Sequence, residues 1–141
     1  MFGVLTLRQI NISSTLQTPL TQFKCRGRLV LLEGNVTTLQ YGELEVITGD
    51  SLGYVTVFWI ESSEILQRFK AHESAVTSIQ VDATKAVSCG SDMMIAISDV
   101  IRGHVLQRLR GHNAPIRAVC FDRKQITSVS SDGELRLWSW G

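Results

Sequence analysis

The chain has 141 residues, of which 44% are apolar and 19% charged, with a formal net charge of +1. That balance suits a soluble globular domain with a core of its own. Lys and Arg are scattered rather than gathered on one face, so nucleic acid and anionic membrane are not expected as partners, and no apolar run nears the roughly 18 residues of a bilayer span.

The opening MFGVLTLRQI has neither the basic n-region nor the small-residue cleavage site of a signal peptide, and GVLTLRQI (3–10) reads as a strand. NISSTLQTPLTQFK (11–24) is polar, contains Pro19 and reads as a loop, and LVLLEGN (29–35) follows as a second strand. VTTLQYG (36–42) and EVITGDSLGYVTVF (45–58) come next. GDSLG (49–53) has the look of a lipase motif in isolation, but it falls where a turn is needed. Residues 65–99 and 105–139 align without a gap, eight of the 35 positions being identical: Leu66/Leu106, Gln67/Gln107, Arg68/Arg108, His72/His112, Asp82/Asp122, Ser88/Ser128, Ser91/Ser131 and Asp92/Asp132. Segment 36–58 is a fainter copy forty residues earlier, and self-similarity at a fixed period decides a fold before any local pattern does. β-Branched and aromatic residues alternate in YVTVFWI (54–60), MIAISDV (94–100) and ELRLWSW (134–140), and SDG (131–133) is a hairpin turn. Each copy is therefore expected to hold strands a, b, c and d, at 75–82, 85–90, 94–100 and 104–110, then 115–121, 125–130 and 134–140. Cys25, Cys89 and Cys120 are odd in number and far apart, which predicts free thiols in a reducing compartment, cytoplasmic or nuclear, rather than a disulfide frame or zinc site.

RGH (110–112) and TSVSSDGELRLW (127–138) resemble the WD-repeat β-propeller family, although Ser139 stands where that family has Asp. The second copy keeps His72 and Asp99 but has Ser98 in the Trp position, and the first has Phe58 there, with Trp59 one place late. The resemblance implies an all-β fold, an incomplete propeller of three to three and a half four-stranded antiparallel blades. Its organisation is expected as the outer half of a degenerate blade plus a loop (1–35), then three repeats (36–74, 75–114, 115–141).

It also implies a buried hydrogen-bond network in each blade, because a His before strand a, a Ser in strand b, an Asp at the b–c turn and a Trp in strand c satisfy one another. The third copy supplies His112, Ser128, Asp132 and Trp138, the second His72, Ser88 and Asp92, and the first only Thr48. Blade rigidity is expected to fall in that order. Ser128, His112 and Asp132 are also the residue types of a hydrolase triad, but no nucleophile elbow presents the serine, and no metal or cofactor site is expected.

Met93 and Met94 occupy the hairpin tip held by Gly133 and Glu134 in the next copy, either packed on their neighbour or exposed for a partner. Arg117 lies in strand a in the place of Thr37 and Thr77, able to pair with a nearby carboxylate or to meet an acidic or phosphorylated segment. The expected function is a non-enzymatic scaffold or adaptor that binds proteins. One alternative is the substrate-recognising part of a ubiquitin ligase of the F-box/WD type, which needs an F-box these residues lack; a propeller enzyme would need inward-facing acids or metal ligands. Propellers close with about four to eight blades, so the chain is expected to be a piece of a longer propeller or a partner in an oligomeric ring. Bare apolar faces are expected at Val36, Leu39 and Val46 at one end, and at Ile126, Leu135 and Leu137 at the other.

Overall fold

The computed structural model describes residues 5–8, 22–25, 27–31 and 33–140, so most of the expected 11–24 loop lies outside the described residues. The chain divides into two units, Met1–Glu33 and Gly34–Gly141. In the first, β1 (Leu5–Arg8) pairs antiparallel with β2 (Arg28–Leu31).

The second unit holds three antiparallel meanders. The first blade is β3 (Val36–Tyr41), β4 (Glu45–Asp50), β5 (Tyr54–Trp59) and β6 (Ile65–Lys70). The second is β7 (Val76–Val81), β8 (Lys85–Gly90), β9 (Ile95–Asp99) and β10 (His104–Leu109). The third has only β11 (Ile116–Phe121), β12 (Gln125–Ser130) and β13 (Leu135–Ser139). Every strand of the last two blades lies within the range its periodicity predicts. The described residues contain no helix.

Two-residue alternation gives each strand two faces, and the core lies between blades rather than inside one. Ile47, Val55, Val57 and Phe69 of the first blade pack against Ile79, Ala86 and Ala96 of the second. The opposite face of the second blade presents Val87, Cys89, Ile95 and Ile97 to Ile116, Val119 and Ile126 of the third. Ile126 is thus buried, contrary to the expected bare face. It pairs with Trp138 and shares that residue's side of the sheet, whereas Leu135 and Leu137 point the other way and are exposed. Val36 and Leu39 are exposed as expected, and Val46 is half-buried.

Each inner strand carries a bulge at its second residue: the register skips Thr37, Thr77 and Arg117 in turn. A bulge frees one residue from the ladder and re-aims its side chain. The Thr37 hydroxyl accordingly donates to the carbonyl of Val76, and that of Thr77 to the carbonyl of Ile116, both at 2.5 Å. One threonine per junction ties each inner strand to the next.

Candidate functional site

The polar network is most complete in the second blade. His72, just before β7, places Nδ1 3.0 Å from Asp92 Oδ1 and Nε2 2.8 Å from Ser88 Oγ. Asp92 also accepts the backbone N–H groups of Glu73 and Met94, which fastens the approach to β7 to the b–c turn. Burial opposes the charge of Asp92, but the hydrogen bond and charge of His72 and those two N–H groups outweigh it and hold its carboxyl below the usual range. Ser98, in the Trp position, leaves its buried hydroxyl without a hydrogen bond.

The third blade supplies the indole and loses the carboxylate. Trp138 Nε1–H donates to Ser128 Oγ at 2.9 Å, and Ser128 Oγ lies 2.7 Å from His112 Nε2. Asp132 does not bond His112, contrary to the expected four-membered set. It bonds the Ser130 hydroxyl and the Glu134 N–H instead, with Ser130 the larger influence in lowering its pKa. His112 Nδ1 is buried without a hydrogen bond, 3.6 Å from a Glu134 oxygen that Arg136 already holds. The cause is one residue: Ser130 stands where the second blade has Gly90, and its hydroxyl captures the carboxylate. A Cβ at Gly90 would lie 2.9 Å from both Asp92 Oδ1 and His72 Nδ1, so the second blade's link needs glycine there.

In the first blade Thr48, at the register of Ser88 and Ser128, is buried with its hydroxyl unpartnered. A set that residue matching missed replaces the network. Arg68 Nη1 donates to Thr56 Oγ1 at 2.8 Å and lies 3.3 Å from Asp50 Oδ2, the two charged side chains being 3% and 1% exposed. Asp50 Oδ1 accepts the N–H groups of Leu52 and Tyr54, closing the b–c turn, and the Arg68 guanidinium lies over the Tyr54 ring. Arg108, identical in register to Arg68, has Gly90 in place of Asp50 and stays exposed.

Met93 is the outlier of the b–c turns. Gly53 and Gly133 hold the equivalent position with φ of 91° and 84°, and Met93 adopts 67° and is 41% exposed. It lines a hollow of about 570 Å³ with Met94, Glu73, Asp92, Arg108, Arg110 and His112. Arg117 is exposed, in no ion pair among the described residues, and is not part of that lining. Cys25 and Cys120 are exposed free thiols; Cys89 is buried, and burial pushes its thiol up to about 11. Among the described residues no cluster of three His, Cys, Asp or Glu could hold a metal ion, and no helix is long and apolar enough to cross a membrane.

The family model described as "WD domain, G-beta repeat" matches residues 63–99 and 103–139, together more than half of the chain. Among solved structures, the computationally designed Ika4 protein is similar with a TM-score of 0.70 and 29% identity, over 75% of this chain and 66% of that one. The computationally designed Ika8 protein matches with a TM-score of 0.70 and 28% identity, over 74% of this chain and 33% of that one. U3-55K shares the fold at 20% identity and a TM-score of 0.68, over 74% of this chain and 34% of that one. The chain thus spans about two thirds of the first of these and one third of the other two. No curated protein matches the sequence.

Proposed function

Because this chain belongs to the WD40 repeat family, we propose that it is a non-enzymatic protein-interaction scaffold whose b–c turn face meets the partner. WD40 repeats serve in general as platforms for other proteins, and fold alone names no partner. The observation that carries the reading is Met93. A side chain other than glycine in the left-handed region costs about 1–2 kcal/mol, and the neighbouring blades avoid that cost with glycine. Methionine gives the position a polarisable, adaptable contact surface that glycine cannot. The lining also holds Glu73, paired with Lys70, and Asp92, bonded by His72, so Arg108 and Arg110 beside the two methionines suit an apolar side chain flanked by a carboxylate. Arg117 adds an exposed cation on the inner strand, suited to an acidic or phosphorylated segment. Three free thiols support a reducing compartment, the cytoplasm or nucleus.

The test is the double change Met93→Gly and Met94→Glu, which installs the turn of the third blade. Folding is expected to be retained, with a small gain in stability, while the proteins captured by the chain are depleted relative to the wild type. An unchanged captured set would overturn the assignment of this face.

A further inference from the structure

The other end of the strands carries the a–b and c–d loops, and there the two blade junctions differ although their registers match. At the junction of the second and third blades the space is filled from within. Lys85 Nζ lies 5.0 Å from the Phe121 ring centre and 5.4 Å from that of Trp140, and the two rings meet edge to face. Trp140 Nε1–H also donates to the Asp122 carbonyl. At the junction of the first and second blades the same positions read otherwise: Glu45 stands for Lys85, Val81 for Phe121 and Val100 for Trp140. Neither a cation nor a large ring stands at these three positions. What remains is a groove of about 520 Å³ whose walls include Tyr41, Leu44, Leu66 and Ile101, exposed by 70%, 54%, 44% and 66%. Its side is fixed by the Gln67 Nε2–H bond to the Ile101 carbonyl, and Leu66 is turned out by a bulge in β6.

The charges of the lining are of one sign: Glu43, Glu45 and Asp82, with no Lys, Arg or His. Lys85 neutralises Asp82, and Glu45 Oε2 accepts the Leu44 N–H, which leaves exposed Glu43 and half-buried Glu45 without a cation among the described residues. An apolar trough under an anionic rim attracts a cation carried beside an apolar group, the combination that Lys85, Phe121 and Trp140 supply at the filled junction.

We infer that this groove is a second docking site, which takes a partner segment pairing a lysine or arginine with an aromatic or large apolar side chain. It rests on the scaffold reading but not on the methionine face, which lies at the opposite end of the strands. The probe is the peptide acetyl-Gly-Lys-Trp-Lys-Gly-amide, titrated into the ¹⁵N-labelled full chain and followed by NMR, with acetyl-Gly-Glu-Trp-Glu-Gly-amide as its counterpart. Saturable shifts are expected at the amides of Gly42–Glu45 and Val100–Ile101 with the basic peptide, and none with the acidic one. Glu43→Lys, at an exposed and unpaired side chain, is expected to weaken binding about fivefold with the remaining spectrum unchanged. Met93→Gly with Met94→Glu is expected to leave the titration as in the wild type, so this site and the methionine face fail separately. Shifts that do not saturate at these amides, or equal binding of the two peptides, would overturn the assignment.

Discussion

Exchanging the residues at 90 and 130 is expected to exchange the states of the two blades. Gly90→Ser places a Cβ 2.9 Å from His72 Nδ1 and Asp92 Oδ1, and 3.0 Å from the Ala75 carbonyl oxygen, so the His72–Asp92 link has to open. A hydrogen bond to a charged group contributes about 1.5–3 kcal/mol, and a buried donor left unpaired costs about 1–3 kcal/mol. Replacing glycine in a strand returns about 0.5–1 kcal/mol through backbone entropy. The net expectation is a loss of about 1.5–5.5 kcal/mol, read as a lower urea midpoint at constant slope. Ser130→Gly removes the competitor for Asp132 and frees its carboxylate to reach His112 Nδ1, which now has no hydrogen-bond partner. The direct readout is the imidazole N–H region of the proton NMR spectrum. A carboxylate only accepts, so an Asp132 that reaches the ring in Ser130→Gly would hold the His112 proton on Nδ1, as Asp92 does for His72. That proton is expected to shift downfield and resist exchange in Ser130→Gly, and the His72 Nδ1 proton to lose both properties in Gly90→Ser. An unaltered His72 signal in Gly90→Ser, with an unaltered midpoint, would refute the competition argument.

Arg68→Ala leaves the Asp50 carboxylate buried without its cation and is expected to cost about 3–5 kcal/mol, whereas Arg108→Ala at the identical register is expected to cost under about 1 kcal/mol; comparable urea midpoints for the two would contradict the substitute network. Ser98→Ala removes a buried hydroxyl that has no hydrogen bond, so stability is expected to hold or to rise by up to about 1 kcal/mol. Trp138→Phe removes the indole donor while Ser128 keeps its bond to His112, so a loss of about 0.5–1.5 kcal/mol is expected in the same melts. Asp92 has a folded pKa below its unfolded value, so its contribution is fully present above about pH 4 and is lost as pH falls through the folded value. Acid melts of Asp92→Asn are expected to show a shallower fall in stability across that window than the wild type.

The repeat, the strand positions and the His–Ser–Trp set could be read from the chain because each is written as residue identity at a fixed period. Other features could not, because they depend on what a neighbour does with a side chain. Arg68 and Arg108 are identical in type and register, yet one is buried in an ion pair and the other exposed. The difference lies across the sheet, where Asp50 faces the first and Gly90 the second. Ser130 reads as an ordinary strand residue until its hydroxyl is seen to capture Asp132. Alternation within a strand does not say which residues of the next strand share its face, and only the pairing of Ile126 with Trp138 separates it from Leu135 and Leu137. The bulges at Thr37 and Thr77 also leave no mark in the alternation, although threonine at the same register in successive copies was a signal available for the interblade bond.

The account rests on the second blade as the rigid centre, packed by one face on the first blade and by the other on the third, and carrying the network that closes on Asp92. Amide hydrogen exchange resolved by residue measures this directly, since the slowest amides mark the segments that open only on global unfolding. The slowest exchange is predicted in β8 and β9, at Val87, Ser88, Cys89 and Ile97, with faster exchange along β13. Slowest exchange in β12 and β13, with β8 exchanging early, would contradict it.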